Sequence, residues 1–243
     1  MLSVVLLVLL VGVPLVAVAA ENNVELEPVA VDFDDKASLQ RGWKNYMNYC
    51  FSCHSLQYAR YERTANDLEI PHELVEENLI FADELIGDLM ENSLTLEDAQ
   101  TYFSAGPPDL TLVGRLRSPE WLYTYLKSFY QDDSRPFGTN NTVFPNVAMP
   151  NVLHELQGDV VCEIHTDGDD QEHCELHHQP GTGTLSEAEF DQVAADIANF
   201  LYYIGEPVRE TRKNIGIWVL LFLAILYLLV FLMSREYQKD FHN

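Results

Sequence analysis

A chain of 243 residues in which 38 Asp and Glu oppose 14 Lys and Arg carries a formal net charge of -24. So acidic a surface repels nucleic acid, which leaves solubility or the docking of a basic partner as its role. The length and apolar content suit one main domain with membrane-associated ends rather than two large domains.

Residues Leu2 to Ala20 are apolar and uncharged, and Ala17-Val18-Ala19-Ala20 offers small residues for signal peptidase before Glu21. Residues 1–20 therefore read as a secretory signal peptide, with an uncleaved N-terminal anchor as the alternative because no Lys or Arg precedes the apolar run. On either reading the domain after Ala20 is exported. Glu21 to Asp35 is acidic and aperiodic and is expected to be an extended arm. From about Ser38, the apolar positions Leu39, Trp43, Tyr46, Met47 and Cys50 recur at helical spacing.

That helix runs into Cys50-Phe51-Ser52-Cys53-His54. Cys-x-x-Cys-His is the attachment pattern of a c-type haem, in which two thiols form thioethers with the porphyrin vinyl groups. The adjacent histidine, His54, is thereby placed as proximal ligand to the iron. A Cys-x-x-Cys alone also suits a redox dithiol or half a zinc site. Export agrees with the haem reading, since bacteria attach c-type haem on that side of the membrane.

Tyr61 to Phe103 contains short helical stretches, among them His72 to Phe81 and Leu96 to Phe103, the latter capped by Thr95 with Asp98 three residues on. The carboxylates Glu76, Glu77, Glu97 and Asp98 read as solvated helix faces, and no catalytic constellation is evident. Gly106-Pro107-Pro108-Asp109-Leu110-Thr111 cannot be helical and reads as a rigid loop. Ser118-Pro119-Glu120 supplies an N-cap, a proline at the first helical position and an acid in the first turn. It opens a helix whose face of Trp121, Leu122, Tyr125, Leu126 and Phe129 is expected to lie against the macrocycle.

Arg135 to Val152 is polar and punctuated by Pro136, Pro145 and Pro150, and it contains Ala148-Met149-Pro150. Met149 is the candidate sixth ligand by elimination. Met1 lies in the signal, Met233 in the apolar C-terminal run, and Met47 on the helix entering the haem turn. Met90 is the rival, although Ile86 to Met90 reads as ordinary helix packing. Thioether ligation opposite histidine raises the haem potential and closes the iron to other ligands, which points to electron transfer.

Cys162-Glu-Ile-His165, an acidic turn through Asp167 to Asp170, and Cys174-Glu-Leu-His177-His178 form a second cysteine-bearing segment. A tetrahedral zinc site from Cys162, His165, Cys174 and His177 is one reading. A disulfide between Cys162 and Cys174, which an exported location favours, is the other. His72, His154, His173, His178 and His242 suggest no partner. Ser186 with Glu189 forms a capping box for a helix with Phe190, Val193, Ala194, Ile197, Phe200, Leu201 and Ile204 on one face, the candidate packing partner of the helix at Ser38. Gly205 and Pro207 end it. A basic juxtamembrane segment, 209–214, then precedes an uninterrupted apolar run at 215–233, long enough to cross a bilayer. Export of the preceding domain, 21–208, leaves the tail 234–243 in the cytoplasm.

Several of these stretches occur together as an ordered set: Tyr49-Cys50-x-x-Cys53-His54-Ser55 with Arg60-Tyr61, the Pro107 to Thr111 loop with Arg115 and Arg117, Phe144-Pro145 leading into Ala148-Met149-Pro150, and Glu206-Pro207 with Arg212-Lys213 before the apolar run. In this set the chain closely resembles cytochrome c1, the haem subunit of the ubiquinol–cytochrome c oxidoreductase (bc1) complex, in a bacterial form. The resemblance implies a mainly α c-type cytochrome domain with loop insertions, followed by one transmembrane helix in the bacterial inner membrane, with the haem domain in the periplasm. It implies one haem c bound covalently through Cys50 and Cys53, His54 and Met149 as axial ligands, and Arg115 as the partner of a haem propionate. It also implies cytochrome b, a Rieske iron–sulfur protein and a basic cytochrome c as protein partners, with lipid around the C-terminal helix, and a redox subunit that is no enzyme on its own. The chain departs from the family in a methionine loop shorter than in mitochondrial relatives and in the 160–180 insert. Another membrane-anchored c-type cytochrome, feeding a terminal oxidase, is the alternative. A haem enzyme or gas sensor needs an open sixth position, which a bound Met149 denies.

Overall fold

The structure, a computed structural model, describes residues 24–103, 106–166 and 172–240. The signal peptide expected at 1–20 lies outside them. After an arm without regular structure, the chain forms α1 (Lys36–Tyr49), β1 (Leu56–Arg60), α2 (Tyr61–Asp67), α3 (His72–Asn78), β2 (Leu89–Met90) and α4 (Leu96–Phe103). Next come α5 (Val113–Leu116), α6 (Pro119–Lys127), β3 (Phe129–Gln131), β4 (Thr139–Asn141) and α7 (His154–Gln157). The chain ends with β5 (Val160–Thr166), β6 (Glu172–His178), α8 (Glu187–Gly205) and α9 (Arg209–Asp240). Among the described residues the six strands make three separate antiparallel pairs, β1–β2, β3–β4 and β5–β6, which leaves helices to build the core.

The core is the crossing of α1 and α8. Asp35 caps α1 by accepting from Ser38 N at 3.0 Å, and Ser38, Leu39, Gly42, Trp43, Tyr46 and Met47 form its buried stripe. Ser186 N donates to the Glu189 carboxylate at 2.9 Å in the expected capping box of α8. The two backbones meet at Gly42, where a Cβ would stand 2.1 Å from Asp196 O and 2.7 Å from Phe200 Cβ. Only glycine allows that approach. Asp196, itself buried, accepts from Arg41 at 2.6 and 2.9 Å and from Ser38 Oγ at 2.7 Å. Asn199 completes the polar seam by donating to Ser38 Oγ at 3.1 Å. Around it Trp43 stacks on Phe200 with ring centroids 6.3 Å apart, and α5, α6 and α7 pack against other faces of α8.

The acidic arm runs across this assembly as an extended strap. Glu27 N donates to Thr124 Oγ1 at 2.8 Å and Asp32 N to Asn199 Oδ1 at 3.1 Å, and the Glu27 carboxylate pairs with Lys127 at 2.6 Å.

Several expectations change. Residues 86–90 are not helical, because Leu89 and Met90 pair with β1, with Met90 opposite Leu56 and fully buried. The helix opened by Ser118 stops at Lys127, so Phe129 begins β3 and is buried there instead of extending the helical face. The 160–180 insert is a β-hairpin in register from Val160 opposite His178 to Thr166 opposite Glu172. Two histidines expected to be partnerless have partners: His72 Nε2 lies 3.0 Å from Asn66 Oδ1 and His154 Nε2 2.9 Å from Asp159.

The basic segment at 209–214 is not a separate linker but the first turns of α9, whose 32 residues extend about 48 Å at the usual helical rise. That exceeds the roughly 30 Å of a hydrocarbon core, so the apolar 215–233 run could cross a membrane with helical turns to spare at each end. None of its most apolar window is buried within the chain.

Replacing Asp196 by Ala takes the acceptor from the buried Ser38 hydroxyl and from Arg41 and Gln192, and is expected to cost about 2 kcal/mol. In a domain of this size that lowers the melting temperature by roughly 4–8 °C in a thermal scan of the purified full chain. Arg41→Ala is expected to cost at least as much, since it leaves the Asp196 carboxylate, 2% exposed, without its cation.

Candidate functional site

The turn after α1 is locked on both sides of His54. Cys53 N and His54 N both donate to Cys50 O, at 3.1 and 2.9 Å, which coils the Cys-x-x-Cys-His segment into a tight turn. The Tyr46 hydroxyl donates to His54 O, and Asn92 Nδ2 donates to Phe51 O at 2.8 Å. Cys50 and Cys53 are free thiols, the first buried and the second half-buried. Burial, with Cys53 beside it, pushes the Cys50 thiol up to about 12.

The Pro107–Thr111 loop is fastened alongside this turn. Leu110 N donates to Ser55 O at 3.0 Å and Gln57 N to Asp109 Oδ2 at 2.7 Å, while the other Asp109 oxygen accepts from Thr111 N at 3.0 Å. The result is a fixed carbonyl: Pro108 O accepts from His54 Nδ1 at 2.7 Å. With its proton held on Nδ1, the ring presents the lone pair of Nε2. Burial, opposed by the Pro108 hydrogen bond and by Asp109, holds the imidazole below its usual pKa, so it is neutral at physiological pH. His54 is 9% exposed.

Met149 belongs to a second network, braced less by its prolines than by asparagines. Asn141 is fully buried, accepts from Val143 N and Phe144 N at 2.9 and 3.0 Å, and donates to Tyr125 O at 2.8 Å. Asn140 Oδ1 accepts from Asn146 N at 2.8 Å, and Arg135 grips Asn146 O at 2.8 Å. The loop is thus tied to α6, from which the Tyr125 hydroxyl donates to Met149 Sδ at 3.4 Å. Burial pushes the Tyr125 phenol up, so it remains a donor. Trp121 stacks on Tyr125 with centroids 4.8 Å apart, and Arg117 lies over Trp121 at 5.1 Å.

Not every expected residue joins these networks. Arg115, on α5, is exposed and its Nε lies 3.9 Å from Glu206 Oε2, a carboxylate that also holds Arg212 at 2.6 Å. Cys162 and Cys174 are joined by a disulfide with Cα atoms 5.4 Å apart. The register puts both sulfurs on one face of the hairpin and His165 and His177 on the other, so the four residues of the possible zinc set are not brought together. Asp109 lies in the Pro107–Thr111 stretch already singled out, but the other polar residues that fix the site, Asn92, Tyr125, Arg135, Asn140 and Asn141, carry no motif of their own. The Asn140-Asn141 dipeptide inside a Pro-punctuated loop was the one available signal.

The sequence pattern of the Cytochrome C1 family matches residues 27–173 and 182–241, with its interruption at the hairpin. The chain is 46% identical to the cytochrome c1 of Allochromatium vinosum over 94% of its own length and 95% of the relative's. The chain belongs to the cytochrome c1 family. A Nitrosomonas europaea protein named ammonia monooxygenase gamma subunit is 39% identical over 94% of both chains. A Candida albicans protein named cytochrome b-c1 complex catalytic subunit, mitochondrial, is 27% identical over 83% of this chain and 71% of the relative. The cytochrome c1 family carries a covalently bound c-type haem. The residues present fit that group: two free thiols at the attachment spacing, a neutral imidazole whose Nδ1 is spoken for, and a thioether held by a hydroxyl.

Asn141→Ala removes three hydrogen bonds at a fully buried position and is expected to cost about 2–3 kcal/mol, read as a lowered melting temperature. Tyr125→Phe deletes only the O–H···S contact, and its cost stays under about 1 kcal/mol in the same scan.

Proposed function

We propose that this cytochrome c1 family chain is the haem electron-transfer subunit of a bc1 complex, passing electrons from a Rieske iron–sulfur protein to a c-type cytochrome. The observation that carries the reading is the His54 Nδ1 hydrogen bond to Pro108 O beside two free attachment thiols. When bound, the haem supplies a one-electron couple.

Each residue of the site has a distinct part. Cys50 and Cys53 would hold the group covalently through their thiols, so that it is not lost between turnovers. Pro108 O fixes the His54 tautomer and raises the basicity of Nε2, the nitrogen that would hold the haem iron. Met149 would supply its thioether to the same group, and the Tyr125 hydroxyl, donating to the sulfur, orients it while drawing electron density from it. A thioether so placed raises the potential and excludes small ligands, which serves electron transfer and not oxygen chemistry. Arg115, whose contact with Glu206 is long and exposed, would hold a haem propionate through a charge-assisted hydrogen bond. Ubiquinol oxidation belongs to cytochrome b, so the chain is a redox subunit of a reductase rather than an enzyme by itself.

Residues 1–20 act as the export signal, 21–208 fold in the periplasm, and 215–233 anchor the chain in the bacterial inner membrane, with 234–243 in the cytoplasm. The ammonia monooxygenase name of the Nitrosomonas europaea relative points towards oxygen chemistry, but the Tyr125–Met149 contact favours the electron-transfer reading.

A redox titration tests the reading. The unmodified full chain is expected to titrate at high potential and to leave carbon monoxide unbound in its reduced form. Met149→Leu lowers the potential and admits carbon monoxide, whereas carbon monoxide binding by the unmodified chain would overturn the axial assignment. The net charge of -24 implies a basic electron acceptor, so the bimolecular electron-transfer rate is expected to fall as ionic strength rises. Stopped-flow mixing across a salt series measures this, and a flat series contradicts the basic acceptor.

A further inference from the structure

We propose that the β5–β6 hairpin carries a binding site for a zinc-class divalent cation, with Glu163, His165 and His177 as ligands. Alternation along the antiparallel pair places Glu163 and His165 of β5 on the same face as Glu175 and His177 of β6. The opposite face carries the Cys162–Cys174 disulfide, which clamps the two strands directly behind the candidate ligands.

One ligand atom from each of Glu163, His165 and His177 lies within 4.8 Å of the other two. His177 Nε2 stands 3.6 Å from Glu163 Oε2, and His165 Nε2 stands 3.4 Å from Glu175 Oε2. The first of these is too long for a hydrogen bond. Two donors each about 2.0–2.2 Å from one tetrahedral zinc ion stand roughly 3.3–3.6 Å apart, the spacing of the Glu163–His177 pair, and His165 completes the set within 4.8 Å. His177 Nε2 adds a separate observation: the atom is shielded from solvent and has no hydrogen-bond partner among the described residues. A shielded ring nitrogen in that state is destabilising unless something ligates it.

Two imidazoles with one carboxylate select a borderline cation such as zinc over calcium or magnesium, which take oxygen donors. Three protein ligands leave a fourth position for water. The site is independent of the haem reading, since none of its residues belongs to the Pro108–His54 or Tyr125–Met149 networks.

Equilibrium dialysis of the chelator-treated, haem-loaded full chain against zinc chloride, with zinc and iron read by elemental analysis, tests the proposal. The unmodified chain is expected to take up one equivalent of zinc per haem. Glu163→Gln and His177→Ala are each expected to weaken uptake about tenfold or more, while His72→Ala, remote from the hairpin, leaves it unchanged. The visible haem spectrum of each variant reports folding, and if His177→Ala disturbs it, Glu163→Gln decides. Absence of stoichiometric zinc in the unmodified chain, or uptake equal in Glu163→Gln and the unmodified chain, overturns the site.

Discussion

The structure depends on one close approach, the crossing of α1 and α8 at Gly42. Because no side chain separates the backbones there, the helices lie near enough for Asp196 to be shared by Ser38 and Arg41 and for Phe200 to stack on Trp43. A buried carboxylate is costly unless its acceptor sites are filled. Here Gln192 also donates to it at 2.9 Å, so its burial is compensated on several sides. Such a seam specifies one register of α1 on α8. The register matters because α1 ends in the Cys50 turn, and a helix free to slide would move both thiols and His54 together.

From that fixed end the site is assembled by hydrogen bonds to backbone rather than by ion pairs. Tyr46, deep in the crossing, reaches His54 O, and Asp109 ties its loop to the segment just after His54. The Pro108 carbonyl is therefore an oriented acceptor and not a mobile loop atom. The methionine side repeats the device with different parts, in that amides from Asn140 and Asn141 replace the missing ladder of a loop too irregular to pair with itself. The direct partners of the imidazole and the thioether, a backbone carbonyl and a phenol, are both uncharged, while most of the charge of the molecule stays on its surface.

Much of this was legible in the sequence, for identifiable reasons. The tight Cys50–His54 turn, the Ser118 and Ser186 helix starts and the apolar 215–233 run all rest on local spacing, and local spacing survives into the fold. The α1–α8 pairing was visible as two apolar stripes, but Gly42 was indistinguishable from any other glycine until the partner backbone was placed against it. Ile86 to Met90 looked helical because a short apolar run carries no reliable period, and pairing with β1 decided it. The same weakness hid the β5–β6 hairpin, whose alternation of acids, histidines and cysteines is a strand pattern obscured by its chemistry. That alternation is also why the cysteines and histidines, close in sequence, face opposite ways. Tyr125 was read as an apolar element of a helical face, and its hydroxyl acquired a role only once the Met149 loop was folded over it.

The central claim is that the two networks converge on one iron, with His54 and Met149 as its axial donors. Near-infrared magnetic circular dichroism of the oxidised, purified full chain tests it most directly, because a thioether bound to ferric haem gives a sulfur-to-iron charge-transfer band that nitrogen or water ligands do not. The account predicts that band in the unmodified chain and its disappearance in Met149→Leu with the protein still folded. A spectrum without it in the unmodified chain, showing a second nitrogen or water in place of sulfur, would contradict the account.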